Sequence, residues 1–128
     1  MVNASIVMSF KGGLELHLRV RRDSTPTVKR LLESMPFDSV AQRWGDEVYF
    51  TVPFHADLEP DARTEMEVGE VGFWPDGDAL AIFFGRTPSS VDDRPRAYSP
   101  CNIVGRVEGD SGLLRAVRPG ARVDVLER

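Results

Sequence analysis

Cysteine is almost absent from this 128-residue chain: Cys101 stands alone, so no internal disulfide can form. A lone thiol suits a reducing compartment, and a cytoplasmic location is expected. Histidine is nearly as scarce. His17, His55 and Cys101 lie far apart in sequence and are too few for a zinc site, so no metal and no cofactor is expected. Charge of one sign is lacking too, since 16 Lys and Arg stand against 20 Asp and Glu for a net charge of −4. No positive field exists to attract a phosphate backbone, which excludes nucleic acid as the expected partner. Long apolar runs are missing, none approaching the roughly 18 residues of a membrane span. MVNASIVMSF has no basic leader and too short an apolar stretch for a signal sequence, so the chain reads as soluble, unexported and without a membrane partner. Asn3-Ala4-Ser5 matches a glycosylation sequon, which without export is incidental.

Apolar mass is not lacking. The AVILMFWYC set is 41% of the chain and the 11 glycines bring the apolar share to the usual globular value, enough for one core and a single domain over residues 1–128. Leu14 to Arg21 alternates apolar and polar residues, and with Ile6 to Phe10 and the intervening Gly12-Gly13 it predicts a hairpin with one wet face. Ser24-Thr25-Pro26 supplies a hydroxyl cap and an initiating proline. Val28, Leu31, Leu32 and Met35 follow at helical spacing, predicting a helix over Thr25 to Met35 that Pro36 ends. Val48 to Val52 reads as a strand, Phe54 to Arg63 as a loop, and Val68 to Pro88 as a hairpin reversing at Pro75-Asp76-Gly77-Asp78. Leu80 to Phe84 is apolar at every position and should be covered on both faces. Ser89 to Pro100 reads as a second long loop. Ile103 to Glu108 and Ala121 to Leu126 read as strands, with a brief helix or turn at Gly112 to Val117 between them. The count of short strands predicts a mainly β fold, a closed antiparallel barrel with two short helices.

Certain blocks carry a family likeness. Pro36-Phe37, Trp44-Gly45 and Tyr49-Phe50 within Leu31 to Phe54, the block from Glu67 to Pro88, and Asn102 to Val107 resemble a family of small bacterial and archaeal cyclophilin-like proteins of unknown function. The most specific part is Gly69-Glu70-Val71-Gly72-Phe73-Trp74-Pro75 running into Phe83-Phe84-Gly85-Arg86-Thr87-Pro88. The resemblance implies a cyclophilin-type antiparallel barrel with helical caps and brings no established activity. Compared with the prolyl isomerases of the wider superfamily, the chain has Cys101-Asn102 where those enzymes carry a histidine. It has Thr51 on the strand that holds their arginine, while Phe83 or Phe84 matches the aromatic floor of their proline pocket.

Prolyl isomerisation needs a donor to the twisted amide nitrogen rather than a nucleophile, and Arg86, beside the aromatic cluster, is the one catalytic candidate. Asp57-Leu58-Glu59-Pro60-Asp61 has acids at alternate positions, but Ala62 and Val68 stand where a calcium loop needs Gly and Glu, so it reads as a solvated loop. Cys101 has no neighbouring histidine to activate it and reads as a small buried hydrophobe. The expected function is binding of a peptide, with or without proline, or of a small ligand in an aromatic cleft without efficient catalysis. The expected contacts are Trp74, Phe83, Arg86, Thr87 and Asn102, with Tyr49 at the rim. The alternatives are a weak prolyl isomerase using Arg86, a subunit of an amide-processing assembly, and a homo-oligomeric subunit with Trp74 and the Ser89 to Pro100 loop between protomers.

Overall fold

Gly12 and Gly13 both adopt positive φ, 107° and 104°, a region that costs glycine nothing, and the chain reverses there. The reversal joins β1 (Ser5–Phe10) to β2 (Glu15–Val20), antiparallel with Met8 opposite Leu16. Leu16, Leu18 and Val20 are buried, as their alternation predicts. The computed structural model describes residues 5–128, so Asn3 and Ala4 of the sequon lie outside it.

Helix α1 (Pro26–Ser34) begins where the cap predicts: Thr25 Oγ1 accepts the Val28 N–H at 3.2 Å, and Pro26 occupies a first-turn position that needs no N–H. Val28 and Leu31 face the core, and Met35 is extended ahead of Pro36. The remaining strands are β3 (Phe37–Val40), β4 (Gln42–Arg43), β5 (Glu47–Thr51), β6 (Arg63–Glu65), β7 (Glu70–Trp74), β8 (Ala79–Phe83), β9 (Arg96–Glu108) and β10 (Arg122–Glu127). Short 3-10 turns occupy Pro75–Gly77 and Ser111–Ala116. The second lies where a brief helix or turn is expected, at Gly112 to Val117. Among the described residues no helix is long and apolar enough to cross a membrane.

The strands form one antiparallel sheet in the order β3-β10-β1-β2-β9-β7-β8-β5-β4, with β6 paired to β9. The expected closed barrel is not what this ladder shows: its path ends at β3 and β4. β3 lies beside β5, where Ser39 Oγ and Thr51 Oγ1 are 3.4 Å apart, without a ladder joining the two strands.

A second correction concerns Ser89 to Pro100. Only its first part is irregular, because β9 starts at Arg96 and runs 13 residues. The proline-rich composition suggested a loop, yet β6 pairs with this stretch through Arg63 opposite Cys101 and Glu65 opposite Arg96. Pro100 falls within the register irregularity between those pairs, where its missing N–H is tolerated.

A candidate ligand cavity on the outer face of the sheet

Side chains alternate across a strand, so each central strand serves two compartments. Val48 and Phe50 of β5, Val71 and Phe73 of β7, and Leu80 and Ile82 of β8 enter the main core. The alternate residues point the other way. Glu47 and Tyr49, Trp74, and Ala79, Ala81 and Phe83 meet Ala97, Tyr98 and Cys101 of β9 and Trp44 of the β4–β5 turn around a cavity of about 390 Å³. That size falls in the range of about 300 to 1,000 Å³ typical of small-molecule sites. The uninterrupted apolarity of β8 is thereby explained: one face is core and the other is cavity wall.

The hollow exists because its floor is made of small residues. Ala79, Ala81 and Ala97 leave space that larger side chains would fill, while Met66 packs with them from below. Gly72 lets β9 approach, since a Cβ there would lie 2.9 Å from the Cβ of Cys101. Gly77 serves the wall, because a Cβ at that turn would collide with the Trp74 ring. The Trp74 indole N–H donates to Ser99 Oγ at 2.5 Å, which fixes the ring against β9. Tyr98 meets Trp44 and Trp74 edge-on, with centroids 6.2 Å away in each case and interplanar angles of 80° and 84°. Favourable aromatic geometry thus links three rings across the mouth. Tyr98 itself is 74% exposed.

Two glutamates are buried in this region, and they differ in kind. Glu70 receives both guanidinium nitrogens of Arg63, at 2.8 and 2.6 Å, and the Glu67 N–H at 2.8 Å. Burial opposes its ionisation, but these donors prevail and its carboxyl titrates below the ordinary range. Glu47, 8% exposed, has no such company: its carboxylate opens on the cavity, and burial alone acts on its charge. Desolvation pushes it up from 4.5 to about 7. Cys101, in the same cavity, is pushed up to about 12 by burial and then by the Glu47 charge. A thiol held protonated in this way is not a nucleophile at neutral pH.

Of the residues expected at the site, the structure brings Trp74, Phe83 and Tyr49 together in the lining, and places Arg86, Thr87 and Asn102 outside it. Arg86 is exposed and lies 3.5 Å from Asp93. Thr87 Oγ1 donates to the Arg96 carbonyl, holding the loop after β8. Asn102 is fully buried on the opposite side of β9, bonded to Thr27, Asp57 and Glu59. Phe84, weighed with Phe83 as a pocket floor, belongs to the main core, with Arg43 and Arg115 5.1 and 5.3 Å from its centroid. Sequence reasoning missed Glu47 and Tyr98. The signal available for Glu47 was an acidic residue opening an otherwise apolar strand. Tyr98 was hidden by the reading of its segment as loop. Among the described residues no group of three or more His, Cys, Asp or Glu side chains is placed to hold a metal ion.

Comparison with known proteins agrees with this architecture. A hypothetical protein from Archaeoglobus fulgidus, whose structure was determined in solution, is 31% identical and superposes with a TM-score of 0.82 over 99% of this chain and 96% of its own. No curated protein matches the chain. The family described as Cyclophilin-like matches residues 5–126, almost the whole of the described structure. With that span and that likeness, the chain belongs to the cyclophilin-like family.

Proposed function

We propose that this protein is a binding domain that takes a small ligand, or one side chain of an extended peptide, into the aromatic cavity without efficient catalysis. The observation that carries this reading is the cavity itself: about 390 Å³, walled by Trp44, Trp74, Tyr98 and Phe83, with one carboxylate, Glu47, in its lining. Sites of this kind combine apolar walls with few polar groups that set orientation. In a screen of proline-containing peptides and small organic compounds, chemical-shift changes are expected to centre on Trp44, Trp74 and Tyr98. Trp74→Ala should weaken whatever binds by about 2 kcal/mol or more while leaving the circular dichroism spectrum intact, because the indole is a half-buried wall rather than core. Shifts confined to the β1–β2 hairpin, or an unfolded Trp74→Ala, would sink the assignment.

Prolyl isomerisation is the second reading, and the cavity offers it little. No arginine lines the walls, so nothing there supplies the charged donor that favours a twisted amide. Turnover of a proline tetrapeptide is expected to be absent or far below that of a typical cyclophilin. Robust turnover abolished by Arg86→Ala would reverse this.

A further inference from the structure

The cavity contains a chemical asymmetry that bears on what it holds. Its ionisable groups are the Glu47 carboxylate, the tyrosine hydroxyls and the Cys101 thiol, and its lining has no lysine, arginine or histidine. An anionic ligand would meet a carboxylate and no counter-charge. A wholly apolar ligand would strip water from the Glu47 carboxylate and give it no partner in return, which costs free energy. A cation bearing alkyl groups satisfies both features. Its charge faces the carboxylate, and its carbon shell lies against Trp44, Trp74 and Tyr98, whose ring faces attract positive charge. Arg63 cannot serve as an internal substitute, because both its terminal nitrogens are engaged by Glu70.

We infer that the cavity is a site for a small alkylated ammonium ion, with the Glu47 carboxylate as counter-charge and Trp44, Trp74 and Tyr98 as its aromatic wall. The inference rests on the binding reading above and narrows it to one ligand class. Glu47 is then a group that waits for its partner: burial raises its proton affinity in the empty site, and an arriving cation displaces that proton. The other titratable groups facing it are Cys101 and Tyr98 from β9 and Tyr49 from its own strand, while β7 and β8 contribute none. Cys101 remains protonated across the relevant pH range.

The test compares choline with its uncharged carbon isostere, neohexyl alcohol, by quenching of tryptophan fluorescence in the full-length protein. Choline should bind at least about tenfold more tightly than the isostere at pH 8, as expected when a desolvated cation faces both a carboxylate and aromatic rings. That preference should shrink on lowering the pH to 5.5, and Glu47→Gln should reduce it at pH 8 to the small remainder the rings supply and remove its dependence on pH. Tyr98→Ala, at an exposed position that folding does not need, should weaken choline binding by about tenfold. If the alcohol binds as tightly as choline, or Glu47→Gln leaves the preference intact, the charge assignment is wrong although the cavity still binds. If neither probe binds saturably and the wider screen also finds nothing, the binding reading and the inference fail together.

Discussion

Replacing Glu47 with glutamine is expected to make the protein more stable, and to do so only above acidic pH. The folded carboxyl titrates at about 7 instead of 4.5 because burial disfavours its charge. A folded-state value above the unfolded one means that the native chain holds the proton more tightly. The wild type is therefore favoured fully below pH 4.5 and loses that advantage as pH climbs through about 7. A difference of this size corresponds to about 3 kcal/mol once the group is ionised in both states. An amide in the same place carries no charge to desolvate. Glu47→Gln should thus match the wild type near pH 4 and exceed it by roughly 10 °C in Tm at pH 8.5, given the usual conversion for a domain of this length. Thermal melts at both pH values check this. A difference that does not change with pH would mean that the carboxylate is solvated or paired in solution. A buried ionisable group whose charge costs stability is the pattern expected at functional sites.

The opposite result is expected at Asn102. Its Nδ2 donates to Thr27 Oγ1 and to the Asp57 carbonyl, both at 2.9 Å, and its Oδ1 accepts the Glu59 N–H at 2.8 Å. Glu59 in turn accepts from the Thr27 hydroxyl at 2.6 Å and the Thr27 N–H at 3.0 Å, so one amide ties β9 to the first turn of α1 and to the 57–59 loop. Asn102→Ala deletes these bonds and strands their partners in a buried site, with a void where the amide was. Such a loss costs about 3 kcal/mol or more. Urea denaturation should show the midpoint fall with little change in slope, and ligand binding at folding-permissive conditions should be unaffected. A stable Asn102→Ala that no longer binds would instead return this residue to the ligand contacts.

Much of the architecture is legible from local pattern, and the site much less so. The alternation from Leu14 to Arg21 and the Thr25-Pro26 cap act over a few residues, and both elements lie where those residues put them. Arg96 to Pro100 is strand only because distant β6 pairs with it, and a proline with flanking charges locally argues the other way. Whether the sheet closes depends on how β3 meets β5, which no local periodicity encodes. Trp74, Phe83 and Tyr49 were found as aromatics beside turns. Glu47 escaped because its isolation is a property of what surrounds it. Arg86, three residues beyond Phe83, turns outward toward Asp93.

The alternation along β8 has a further consequence. Leu80 and Ile82 belong to the core, whereas Ala79, Ala81 and Phe83 belong to the cavity. Core packing and cavity shape are therefore written on interleaved letters of one five-residue strand. Enlarging Ala81 would narrow the hollow, whereas trimming Phe83, which is fully buried against Met66 and Cys101, would widen it only by loosening that packing. On this strand the hollow is easier to fill than to enlarge, because the residue that bounds it also belongs to a packed cluster.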